Sequence, residues 1–148
     1  MLAVLFFEDA GRPLALESLG GVPVLRRTAQ GLARSGVSRA FLAASPQYAA
    51  ELLACFPPEA AAEVSDRHDR LMAFLDTPEE VLVLRRAMVP LDAAGLGMAY
   101  AAPGRSLREA WRERLTNAIQ DARLVPGWLP LYGPETLAEL EPRFQGQD

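Results

Sequence analysis

The chain has 148 residues, of which 50% are hydrophobic and 23% charged, and its formal net charge is -4. That length suits one domain over residues 1–148, and so much apolar content excludes bulk disorder. The charge excludes a basic field that would draw in nucleic acid, and the arginine pairs Arg26–Arg27 and Arg85–Arg86 lie far apart in sequence.

Leu2-Ala3-Val4-Leu5-Phe6-Phe7 is an unbroken apolar run, which predicts a strand buried on both faces. Glu8-Asp9-Ala10-Gly11-Arg12-Pro13 follows as a polar loop. After a short apolar segment and Gly20-Gly21, Pro23 is placed for the first turn of a helix. Val24, Leu25, Ala29, Leu32 and Ala33 form its inner face, Arg26, Arg27, Gln30 and Arg34 its outer face, and Gly36 its stop. Val37–Ala44 predicts a second strand, ended by Ser45-Pro46. Gln47–Phe56 reads as a helix that Pro57-Pro58 ends, and Asp66–Leu75 as another with Leu71, Met72, Phe74 and Leu75 inward. Glu80–Leu84 is a third buried strand, and Gly97–Ala102 a fourth. Ser106-Leu107-Arg108-Glu109 has the form of a capping box opening a helix to about Arg123. Trp128–Tyr132 fits an edge strand, because Pro130 suits only an edge. Pro134 opens a last helix over Glu135–Leu140, with Glu135, Glu139 and Glu141 on a solvated face.

Strands alternating with helices predict an α/β three-layer sandwich with a mostly parallel sheet. In such sheets ligands bind beyond the carboxyl ends of the strands. The expected rim is therefore Glu8–Arg12, Ser45–Gln47 and Arg85–Asp92.

Several residue types narrow the chemistry. All fifteen basic residues are arginine, so no lysine can follow a moving phosphate or act as a base. Cys55 sits in the apolar run Leu52–Phe56 and reads as a small buried hydrophobe. The lone His68 lies in a charged stretch without a second histidine or a thiol cluster, and reads as a solvated side chain. Trp111 and Trp128 read as core or interface anchors. Met1–Phe7 lacks the features of a signal peptide, and no apolar run reaches membrane-spanning length, so a cytoplasmic protein that avoids the membrane is expected.

Four segments, in order, carry a likeness. They are Leu16-Glu17-Ser18-Leu19-Gly20-Gly21-Val22-Pro23-Val24-Leu25; Arg34–Val37 with its strand and Ser45-Pro46-Gln47-Tyr48; Val81–Leu84 with Val89-Pro90-Leu91; and Gly133–Glu141. Together they resemble the nucleotidyltransferases that make sugar nucleotides, CDP-methylerythritol and molybdenum-cofactor dinucleotides. The first is similar to the segment after that family's catalytic loop, the second to its second strand and turn. The third is similar to the strand and loop bearing its metal aspartate, and the last to its closing helix. Arg105-Ser106-Leu107 before a helix is most similar to the methylerythritol phosphate cytidylyltransferases, with the molybdenum-cofactor guanylyltransferases also near.

The departures fall on the chemistry. The family's glycine-rich first loop lets backbone N–H groups approach the nucleotide phosphates. Here Glu8 and Ala10 stand in place of its two glycines and Gly11 in place of its threonine; only Arg12 matches. The lysine expected to neutralise the leaving pyrophosphate has become Leu14, and the metal aspartate falls within Arg85-Arg86-Ala87-Met88. The resemblance therefore implies a diverged, catalytically weak or inactive member that binds a nucleotide or small phosphorylated molecule, or serves as a partner or regulatory subunit. Glu8, Asp9, Ala10, Gly11, Arg12, Ser45, Arg85 and Arg86 would form its nucleotide site.

Alternatives stand beside that reading. Arg12 could clamp a phosphate or pair with Glu8 or Asp9. Asp9 and Asp92 could hold Mg²⁺ with a bound nucleotide, or be ordinary surface acids. An active Mg²⁺-dependent cytidylyl- or guanylyltransferase would use Arg12 as charge stabiliser, with Arg85 or Arg86 in place of lysine. A non-enzymatic module would instead form a homo-oligomer through Trp128–Tyr132. An unrelated small α/β domain would make the likeness coincidental.

Overall fold

The computed structural model describes residues 1–7, 11–84, 88–90, 100–113, 128–130 and 134–144. In chain order, β1 is Leu2–Phe6, β2 Ser18–Leu19, β3 Val22–Pro23, α1 Val24–Arg34, β4 Arg39–Ala43 and α2 Ala49–Leu53. They are followed by β5 Ala61–Ser65, α3 His68–Leu75, β6 Glu80–Leu84, β7 Met88–Pro90, β8 Tyr100–Pro103, α4 Gly104–Glu113, β9 Trp128–Pro130 and α5 Pro134–Phe144.

The main sheet runs β5-β4-β1-β6-β8. Its first four strands are parallel, with Val4 opposite both Phe41 and Val83, and β8 pairs antiparallel with β6. The apolar runs of β1 and β6 occupy the interior because both their faces are covered. Ala3, Leu5, Leu42, Leu82 and Leu84 face one layer with Leu25 and Leu32 of α1 and Leu52 of α2. Leu2, Val4, Phe41, Val81 and Val83 face the other, with Leu71, Phe74 and Leu75 of α3 and Leu107 of α4. The molecule is thus an α/β sandwich with helices on both faces of a mostly parallel sheet.

Local endings follow from backbone chemistry. Gly36, at φ 94°, ends α1: its N–H donates to the Ala33 carbonyl, and that of Val37 donates to Leu32. That pairing satisfies two carbonyls the helix would otherwise leave open. Pro23 sits one residue earlier than expected, at the N-cap, and α1 begins at Val24. Glycines 20 and 21, both at positive φ, turn β2 into β3. The segment expected as one helix over 47–56 is a 3-10 turn, Pro46–Tyr48, followed by the short α2. α3 starts at His68 rather than Asp66. β8 covers Tyr100–Pro103, and residues 97–99 of the expected strand lie outside the described residues.

Ser106 does not cap α4. The helix begins two residues earlier, because the N–H groups of Gly104 and Arg105 donate to the carbonyls of Glu79 and Thr77. The preceding loop supplies what a capping serine would. Residues 114–123 of the expected helix lie outside the described residues.

Two side chains read as solvent-facing are tertiary ties. Arg27 donates from Nε and Nη2 to the Leu19 carbonyl, at 3.0 and 2.7 Å, and lies 4.8 Å over the Phe144 ring. Glu141 accepts from the Gly20 N–H through both carboxylate oxygens, at 3.1 and 3.2 Å. The last helix extends to Phe144, and Leu140 and Phe144 pack on Leu19, Val24 and Val89. Helix α5 is in this way clasped to the β2–β3 turn and the start of α1. Glu135 and Glu139 are exposed, as expected.

Thr28 ties β7 to the same region. Its side chain is buried, and Oγ1 contacts the carbonyls of Val24 and Met88. Replacing it by the similarly shaped valine leaves the Met88 carbonyl without that donor, an expected loss of about 1–3 kcal/mol. Urea unfolding would read this, with Thr28→Ser retaining most of the stability. A valine variant as stable as wild type would show that the hydroxyl contributes nothing.

Candidate functional site

The parallel strands deliver their carboxyl ends to one rim. From β1 the chain passes to β4 and β5 on one side, then crosses to β6 on the other. Such a reversal opens a crevice beside the first strand. Residues 8–10 and 85–87, which follow β1 and β6, lie outside the described residues. The described part of the rim is the neighbouring hollow, between the ends of β1 and β4.

This hollow has a volume of about 280 Å³ and is lined by Phe7, Gly11, Pro13, Ala44, Ser45, Gln47 and Tyr48. Phe7 and Ala44 are placed by the strand ends. Ser45 is placed by the turn it caps, its Oγ accepting from the Gln47 N–H at 3.3 Å. The next turn brings Tyr48, its N–H donating to the Ser45 carbonyl at 3.1 Å. Gly11 has φ 134° with open space where a Cβ would stand, so backbone conformation and not crowding favours glycine there. No acidic or basic side chain lines the hollow among the described residues.

Arg12 stands beside the hollow, half-exposed. Its Nη1 is 2.8 Å from Oε2 of Glu51 on α2, and its Nε is 3.6 Å from Oε1 of Glu17. The hydrogen bond to Glu51 raises the guanidinium pKa further above its ordinary value, and the charges of Glu51 and Glu17 add to this. The described partners of Arg12 are thus Glu51 and Glu17; Glu8 and Asp9 lie outside the described residues. Exposed pairs of this kind are cheap to break, so the cation is held in reserve and not locked.

The structure therefore brings Gly11 and Ser45 to one hollow, while Arg12, between the lining residues Gly11 and Pro13, turns its guanidinium to Glu51 and Glu17. Glu8, Asp9, Ala10, Arg85, Arg86 and Asp92 lie outside the described residues. Phe7, read from sequence as core, is half-buried and lines the hollow. Its place just past the end of β1 is the signal that would have marked it. Among the described residues no group of three or more histidines, cysteines or carboxylates gathers to hold a metal. Cys55 is buried in the core, where loss of solvent pushes its thiol pKa up.

No protein-family model matches this chain, and no curated protein matches it.

Proposed function

We propose that this chain is a diverged, cytoplasmic nucleotidyltransferase-like domain. It holds a nucleotide or another small phosphorylated molecule at the carboxyl rim of its sheet, with turnover weak or absent. The observation that carries this reading is the hollow between the ends of β1 and β4, bordered by Arg12. Its volume is close to the lower end of small-molecule pockets, roughly 300 Å³. The rings of Phe7 and Tyr48, the Gln47 amide and the Ser45 hydroxyl suit a flat heterocycle with hydrogen-bonding edges. Arg12 supplies the charge for a phosphate once it leaves Glu51 and Glu17. Weak turnover follows from the missing lysine, because phosphoryl and nucleotidyl transfer depend on charge stabilisation at the transferring and leaving groups.

A thermal-shift panel of CTP, GTP, UTP and ATP with Mg²⁺ tests the reading. A ligand at ten times its Kd adds about 1.4 kcal/mol, which is roughly 3–6 °C in Tm for a chain of this size. A shift of that order with at least one nucleotide is expected, reduced in Arg12→Ala for the triphosphate but not for the free nucleoside. No shift with any of the four at millimolar concentration would refute binding. Fast, Mg²⁺-dependent pyrophosphate release would refute weak turnover.

A further inference from the structure

Strand β5 ends the sheet. It pairs with β4 along Arg39↔Ala61 to Ala43↔Ser65, and among the described residues no strand pairs with its outer side. The hydrogen bonds fix which groups face outward. The Ala61 N–H donates to Ser38, and the Ser65 carbonyl accepts from Ala44. In a strand the N–H and C=O of one residue point the same way and alternate from residue to residue. Ala61, Glu63 and Ser65 therefore bond to β4, and Ala62 and Val64 present their N–H and C=O to the open edge.

We infer that two copies of this chain join edge to edge through β5, antiparallel about a two-fold axis at Glu63. This interface is separate from the rim hollow and does not depend on it. An edge with outward groups at two positions spaced by two is its own complement under such an axis. Ala62 lies opposite Val64 of the second copy and Val64 opposite Ala62, each pair exchanging two hydrogen bonds. Glu63 meets its own counterpart at the axis, a like-charge contact that would ordinarily block pairing. Here Arg70 of α3 neutralises it: Nη2 is 2.6 Å and Nε 2.8 Å from Glu63 Oε2. The axis then carries two Arg70–Glu63 pairs, one from each copy.

On the opposite face, Ala62 and Val64 pack against the layer of α1 and α2. α2, which rests on β5, carries Leu53, 40% exposed and the only exposed large hydrophobic side chain among the described residues. Ala61–Ser65 holds no proline, and its one charged side chain, Glu63, is paired with Arg70. The partner is thus a second copy, and its strand differs from the 128–132 segment expected from sequence. There β9 already pairs with β7.

Sedimentation equilibrium tests this directly. The apparent mass should rise from 16.1 kDa toward twice that value over roughly 10 µM to 1 mM, the range suited to a small interface. Val64→Pro removes an outward N–H that β4 does not use, so it should keep the wild-type circular dichroism and hold the mass at the monomer value. Wild type that stays monomeric to 1 mM overturns the inference, as does a folded Val64→Pro that associates as wild type does. If Val64→Pro fails to fold, amide exchange in wild type decides. On concentration the Ala62 and Val64 amides should slow several-fold while that of Glu63, bonded to β4 throughout, stays constant. Unchanged exchange at Ala62 and Val64 overturns the inference.

Discussion

Phe41→Ala is expected to lower stability by about 3–5 kcal/mol, the range for removing a buried aromatic ring. Phe41 lies mid-way along β4, 1% exposed, with Val4 of β1 on one side and Glu63 of β5 on the other. Its ring meets that of Phe74 on α3 at 5.5 Å between centroids, tilted by 49°. Beyond lay Arg39, whose guanidinium covers the Phe74 ring at 5.4 Å. Truncation removes the transfer energy of the ring and leaves a void between the sheet and α3 that backbone hydrogen bonds prevent from closing. For a chain of this size such a loss lowers Tm by roughly 6–20 °C. Phe41→Leu should recover much of it by refilling the void. Equilibrium unfolding of both variants checks the argument, and a change below about 1 kcal/mol in the alanine variant would mean that the site collapses freely.

Gly20→Ala is expected to cost about 2–4 kcal/mol, from backbone strain and collision together. At φ 63° any side chain is strained, but crowding is the larger part. A Cβ there would stand 2.1 Å from the Phe144 carbonyl oxygen and 2.8 Å from Nη2 of Arg27. Both groups belong to the clasp of α5, so the substitution must push that helix away or open the turn. Gly21→Ala is the control: it shares positive φ, 81°, but meets nothing within 4 Å. It should cost only about 1 kcal/mol. Near-ultraviolet circular dichroism with urea unfolding would separate the two, and equal losses at both positions would show that the contact with α5 is of no energetic weight.

β1, β4 and β6 were legible in sequence, because burial on both faces leaves each a run of consecutive apolar residues, with a charged residue only at the start of β4 and β6. β5 was not. Ala-Ala-Glu-Val-Ser is poor in branched residues and only half-buried, so neither propensity nor periodicity marks it. The β2–β3 hairpin has two residues in each strand, too few for any period, and only Gly20-Gly21 hinted at a turn. The helix faces of Leu25, Leu32, Leu71 and Phe74 were readable from spacing. The ties of Glu141 to Gly20 and of Arg27 to Phe144 join distant parts of the chain, where local pattern carries no information, and Arg27 meets Leu19 only through the β2–β3 turn. The rim hollow was half legible. Strand ends locate Ser45 and Gly11, but nothing local tells that Arg12 meets Glu51 from the following helix.

The clasp of α5 has a consequence for synthesis. Leu19 and Val24 are made more than a hundred residues before their cover, Leu140 and Phe144. At roughly 5–20 residues per second, the nascent chain carries that oily surface uncovered for some seconds after its central strands can pair. Ribosome-bound chains stalled before Leu140 should therefore recruit holdase chaperones, and chains in which Phe144 has emerged should lose that recruitment.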